Sequence, residues 1–186
     1  MFPEIERVLI DQATIAARVH ELGERIAADL LADVARTGRD QIVLVPILTG
    51  SIVFVADLIR QMPIKLSLGV VAVSSYPGQS IQSKGAALRG EIPRDLRGKH
   101  VLIVDDILDS GRTLGLIRGL VAEQSPASIR VAVLLRKSLT GPRAVEVHAD
   151  YAGFDIPDEF VVGYGLDFDG YFRNYPQVAV LRREVS

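Results

Sequence analysis

Three carboxylates and a run of small residues stand together in Asp105-Asp106-Ile107-Leu108-Asp109-Ser110-Gly111-Arg112-Thr113. Glycine and small hydroxyl residues at the start of a helix offer backbone N–H groups and side-chain donors to a phosphate. Neighbouring carboxylates accept hydrogen bonds from vicinal hydroxyls, or bind them through a divalent cation. The run therefore suits a sugar phosphate. A second small-residue turn, Leu48-Thr49-Gly50-Ser51, follows an apolar stretch. Arg136 and Lys137 end another, and Phe160-Val161-Val162-Gly163-Tyr164-Gly165-Leu166-Asp167 places an aromatic residue before a carboxylate, with Arg173 beyond it. Each of these has a plainer reading when taken alone. Asp109 could cap a helix, Lys137 could be solvated, Phe160 could be a core residue and Arg173 a surface arginine. His20, His100 and His148 lack metal-ligand spacing and read as incidental.

The elements that must hold these groups alternate. Ile15, Val19, Leu22, Ile26 and Leu30 fall three and four apart, which predicts an amphipathic helix over 12–36 stopped by Gly38. Ile42–Ile47 and Val101–Val104 read as strands buried on both faces, as does Ile129–Leu135. Helices are expected from Gly50-Ser51 to about 61 and over 113–123, and a further strand over 65–73. Shorter strands fit 160–164 and 178–181. Residues 74–97 are rich in Gly, Ser, Gln and Lys without periodicity, and a loop that long in a compact domain is usually functional. Alternating strands and helices imply an α/β domain with a mostly parallel twisted sheet flanked by helices. Ligands of such sheets sit beyond the carboxyl ends of the strands. Leu48-Thr49, Ser74-Ser75, Asp105-Asp106 and Arg136-Lys137 all begin there, which is stronger than any one motif.

At 186 residues the chain fits one domain with a substantial core. Its 48% hydrophobic and 24% charged composition is that of a soluble globular protein. A net charge of −2 gives no electrostatic case for nucleic acid or an anionic membrane. No cysteine means no disulfide framework and no thiolate chemistry. No apolar run approaches the ~20 residues of a membrane span. Met1-Phe2-Pro3-Glu4-Ile5-Glu6 lacks the basic and apolar regions of a secretory signal, so a cytoplasmic enzyme is expected.

Together these motifs resemble, in order and over almost the whole chain, those of the type I phosphoribosyltransferases, and among them the hypoxanthine-guanine (6-oxopurine) group. The resemblance implies a single domain over 1–186 with a core at about 12–150. It implies a small purine-binding hood from about 151–186, to which the N-terminus can add, and a mobile lid over about 74–97 that includes Ser75 and Tyr76. It implies transfer of 5-phosphoribosyl from 5-phosphoribosyl-1-pyrophosphate (PRPP) to N9 of a 6-oxopurine, releasing pyrophosphate and a nucleoside monophosphate. Asp105 and Asp106 would hold the ribose hydroxyls directly or through Mg²⁺. Ser110, Gly111, Arg112 and Thr113 would wrap the 5-phosphate, and Asp109 would serve as the general acid or base at N7. Lys137 would donate to O6, Phe160 would stack on the base and the backbone at Val161 would read its edge. Asp167 would help hold Mg²⁺ on the pyrophosphate, with Thr49, Gly50 and Arg173 contacting that group.

The resemblance also implies a non-prolyl cis bond at the start of the 48–51 turn and a homodimer or homotetramer. The chain departs from the family at Thr49, where Lys or Arg is usual. Two alternatives fit less well. A PRPP-sensing regulator of RNA or DNA would show a basic surface, and in its motif the position of Asp109 is usually aromatic. A pyrimidine phosphoribosyltransferase would lack the combination of Asp109, Lys137 and Phe160.

Overall fold

The computed structural model describes residues 2–74, 87–89 and 91–182. The expected lid residues Ser75 and Tyr76 lie outside them. Strand β1 (Ile5–Ile10) leads into helix α1 (Gln12–Thr37), then β2 (Ile42–Leu48) and α2 (Ile52–Arg60). Two short strands follow, β3 (Ser67–Leu68) and β4 (Val71–Ser74), then β5 (Ala87–Arg89). Next come β6 (His100–Leu108), α3 (Arg112–Ala122), β7 (Ser128–Ser138) and β8 (Tyr151–Pro157). The chain ends in β9 (Val161–Val162) and β10 (Val178–Leu181).

The main sheet has the order β5-β4-β2-β6-β7-β8, with β3 also on β2, and every pairing from β4 to β8 is parallel. Its strands are apolar on both faces because each face packs on helices. Alternate residues divide cleanly. Ile42 and Leu44, Leu102 and Val104, and Ala132 and Leu134 join one core with α1 and α2. Val43 and Val45, Val101 and Ile103, and Val131 and Val133 join the other with Leu114, Ile117 and Val121 of α3. The chain leaves β2 toward β4 and leaves β6 toward β7, in opposite directions. Adjacent strands whose connections diverge in this way open a crevice at their carboxyl ends.

Helix α1 begins where the Asp11 carboxylate accepts from the Thr14 N–H at 2.9 Å, and it stops at Gly38, whose φ is 68°. Its buried stripe contains the five residues expected. No helix among the described residues is long and apolar enough to cross a membrane.

Several boundaries differ from those expected. The 65–73 strand is two, interrupted where the Gly69 N–H donates to the Leu44 carbonyl at 2.9 Å. Strand β6 runs to Leu108, so Asp105 and Asp106 lie within it rather than after it. The 74–97 segment is not all loop. Residues 87–89 pair antiparallel with β4. Leu96 is buried, and the Gln124 side-chain amide donates to the Pro93 carbonyl at 2.8 Å, so the end of this segment is fastened to the core. Residues 151–157 form β8, which pairs in parallel with β7 from Ala132↔Tyr151 to Ser138↔Pro157 and so joins the main sheet. The separate three-stranded sheet is β1-β10-β9, with the N-terminal strand as one of its edges. The expected 160–164 strand shortens to Val161–Val162, because Gly163, Tyr164 and Gly165 all take positive φ.

Candidate active site

A cavity of about 790 Å³ opens at the diverging ends of β2 and β6. The turn after β2 supplies Leu48, Thr49 and Gly50, and β6 supplies Asp105 and Asp106. Asp109, Ser110, Gly111 and Thr113 lead into α3, while Asp167 and Arg173 reach in from the hood. The Leu48–Thr49 bond is cis, and the buried Ser51 hydroxyl ties the turn to β2 by donating to the Ile47 carbonyl at 2.6 Å. Thr49 itself is exposed.

Burial, and then the neighbouring Asp106 carboxylate, push the Asp105 carboxyl well above the usual carboxylate range. Burial also raises Asp106, although its Oδ1 accepts the Ile107 N–H at 2.8 Å. A buried and a half-buried carboxylate side by side repel when both are ionised. A divalent cation or the hydroxyls of a diol relieve that repulsion. Arg173 is the one cation lining the cavity among the described residues, against Asp105, Asp106, Asp109 and Asp167. It is already committed, with Nη2 on Asp167 at 2.6 Å and Nη1 donating to the Gly165 carbonyl at 2.6 Å.

These hard oxygen donors suit Mg²⁺. Among the described residues no group of three or more potential ligands could hold a metal by itself. Mg²⁺ is commonly bound through one or two carboxylates plus substrate phosphate oxygens rather than in a protein cage.

The loop from Asp109 to Thr113 is shaped by close approach. Gly111 has φ 77°, and a Cβ on it would meet the Val145 carbonyl oxygen at 2.0 Å. The Val145 N–H in turn donates to the Ser110 carbonyl at 3.1 Å. Arg112, expected in this loop, is exposed in the first turn of α3 and does not line the cavity.

Lys137, Phe160 and Val161 also lie outside the cavity lining. Lys137 is joined to it through Asp109, whose carboxylate is 3.4 Å from the ammonium. Arg136 makes a two-pronged contact with Asp155 at 2.5 and 3.0 Å, which leaves Lys137 to meet Asp109. Phe160 is 49% exposed and sets its ring edge-to-face on Phe168 at 5.6 Å, so it is not a core residue. Val161 is buried.

Two partners escaped the sequence. Asp158 binds Lys137 at 3.1 Å, and Phe168 supports Phe160. Nothing local marks Asp158 as the carboxylate for a lysine on another strand.

The comparisons agree with this geometry. Residues 16–169 match the phosphoribosyl transferase domain. A hypoxanthine-guanine phosphoribosyltransferase of Mycobacterium bovis is 41% identical over 96% of this chain and 87% of its own length. The crystal structure of a hypoxanthine phosphoribosyltransferase from Staphylococcus aureus superposes with a TM-score of 0.85 at 36% identity, covering 98% of this chain and 94% of that one. The Trypanosoma cruzi hypoxanthine phosphoribosyltransferase, solved with its product IMP, gives 0.85 at 34% identity over 100% of this chain and 99% of that one. Fold, site and likeness over nearly the whole length lead to one conclusion: this chain belongs to the phosphoribosyltransferase family, in its hypoxanthine-guanine group.

Proposed function

We propose that this protein is a purine salvage enzyme that transfers the 5-phosphoribosyl group of PRPP to N9 of hypoxanthine or guanine, giving IMP or GMP and pyrophosphate. The observation that carries the reading is the meeting of the adjacent Asp105 and Asp106, Ser110, Gly111 and Thr113, Asp167 and Arg173 around one cavity at the sheet's carboxyl edge.

Asp105 and Asp106 bind the ribose diol, and the backbone and hydroxyls of 109–113 hold the 5-phosphate. Bond breaking at C1 builds oxocarbenium character, by analogy with other glycosyl transfers. Carboxylates beside the ribose would favour that charge. Departing pyrophosphate meets the 48–50 turn and Arg173. Mg²⁺, when bound, neutralises part of its charge, with Asp167, Asp105 and Asp106 as the protein's oxygen donors. Asp109 holds or takes the purine proton at N7. Lys137 donates to O6 and so favours a 6-oxo over a 6-amino base. Phe160 offers its exposed face to the ring, and the Val161 backbone addresses its edge. The lid, with Ser75 and Tyr76, excludes water that would hydrolyse PRPP. Thr49 supplies no cation, so the pyrophosphate relies on Arg173, the metal and the turn's backbone. The enzyme acts in the cytoplasm as a homodimer or homotetramer.

Steady-state assays with hypoxanthine, guanine, xanthine, adenine and uracil, each with PRPP and Mg²⁺, test this. Turnover confined to 6-oxopurines is expected. Turnover of uracil or adenine alone, or of none, overturns it.

A further inference from the structure

The connection between β7 and β8 carries an arginine to which nothing above gives a role. Nη2 of Arg143 donates to the Leu108 carbonyl at 3.5 Å and to the carbonyl of Lys137. These carbonyls stand where the β6–β7 ladder runs out. Its last pair is Leu108↔Arg136. The next residue on each strand is Asp109 on one side and Lys137 on the other, and their side chains meet at 3.4 Å. The guanidinium thus takes over as the cross-strand tie where the backbone stops providing one. Close by, the Val145 N–H holds the Ser110 carbonyl, so the same connection is also fastened to the phosphate loop.

Nε of Arg143 is buried and has no hydrogen-bond partner among the described residues. Leaving a buried donor unpaired is unfavourable, and a connection that only had to close would be served as well by an apolar stem. The charged group is kept for what its other nitrogen does.

We propose that Arg143 is a positioning residue that sets the spacing of Asp109 and Lys137, and through them the orientation of the purine. The inference rests on the reading that these two side chains address the base. Asp105 and Asp106 sit earlier on β6, inside the ladder, and do not depend on this tie.

Arg143→Met keeps the stem and deletes the donors. Arg143→Lys restores one nitrogen able to serve both carbonyls. In Arg143→Met, kcat with hypoxanthine should fall and the purine KM rise, each by roughly 10- to 100-fold, the usual consequence of a misplacement of about an ångström. The KM for PRPP should stay within about twofold, and Arg143→Lys should recover most of the loss. Wild-type constants in Arg143→Met overturn the proposal. So does an equal rise in both KM values, or a lower kcat with both KM values unchanged and no rescue by Arg143→Lys. If Arg143→Met does not fold, Arg143→Gln must show the same split between purine and PRPP, and its absence overturns the proposal equally. Lack of transfer by the wild-type protein would instead remove the functional reading beneath it.

Discussion

Gly50 and Asp106 share one space: a Cβ on Gly50 would stand 1.8 Å from Oδ2 of Asp106. The turn after β2 and the carboxylate on β6 are therefore fitted to each other, although the two residues are far apart in sequence. The same turn touches the hood, because a Cβ on Gly165 would meet the Gly50 carbonyl oxygen at 2.1 Å. Gly50 is the point where three parts of the site converge.

Gly50→Ala should accordingly leave a folded protein in which the Asp106 carboxylate has swung away. The KM for PRPP should rise by roughly tenfold or more, the scale expected for a displaced contact group. The thermal midpoint should stay close to wild type, because the new methyl group displaces the end of a side chain rather than backbone. Unchanged PRPP kinetics would mean that Asp106 does not contact the ribose.

Asp109→Asn removes a proton acceptor and halves the carboxylate support of Lys137. PRPP binding should survive, since the neighbouring residues are the ones proposed to hold ribose and phosphate. Turnover should fall by ~10²–10⁴, the usual worth of a positioned acid or base. Measuring kcat beside PRPP affinity by calorimetry checks both halves, and wild-type turnover would take Asp109 out of the chemistry.

Phe160→Ala separates a stacking ring from a packing ring. With half its surface exposed and one edge-to-face neighbour, Phe160 should leave only a small cavity behind. Stability should change little, while the purine KM rises by ~10- to 100-fold, matching the ~1–3 kcal/mol of base–aromatic stacking. A large loss of thermal midpoint with normal purine affinity would defeat the assignment.

His100 and Asp33 predict how stability follows pH. The His100 ring is buried, with its nitrogens 2.9 Å from the Thr37 hydroxyl and 2.7 Å from that of Ser128. Burial lowers its pKa; Asp33 opposes the shift, while Arg36 and Arg130 add to it. The unfolded chain therefore binds a proton that the folded one resists. Stability is lost as pH falls below the unfolded value of ~6.5, down to the folded value. Burial raises the Asp33 carboxyl, but hydrogen bonds from Arg130 and Arg36 outweigh it and leave it below its ordinary value. Its contribution is present above the unfolded value of ~3.9 and is lost as pH falls through the folded one. Urea midpoints should drop between about pH 7.5 and about pH 5.5, and His100→Gln should flatten that slope. A midpoint already flat in the wild type would refute the account.

What could be read from the sequence was what lay on one element. The stripe of α1, its Gly38 stop and the run from Asp105 to Thr113 are local patterns, and the structure keeps them. Strand β8 is not announced by the sequence, because it carries Gly153 and Pro157 and its parallel partner β7 is visible only after folding. Strand β1 was missed because most of it is exposed or half-buried, without the alternation that marks a strand. The pairing of Lys137 with Asp158 and the reach of Arg143 join separate segments, so no spacing rule could announce them. The extension of β6 through its two aspartates ran against strand propensity, since those carboxylates face a cavity rather than a core.

The pairing of β1 with β10, Ile5 against Leu181, sets an order of assembly. The widest pairing in the main sheet is Ile42 against His100, whereas the three-stranded sheet must close nearly the longest loop available, and loop closure of that kind comes late. The three-stranded sheet should then be the last unit to form and the first to open. Under mild denaturant a population should exist whose parallel sheet still grips the sugar phosphate while the residues around the purine have come apart.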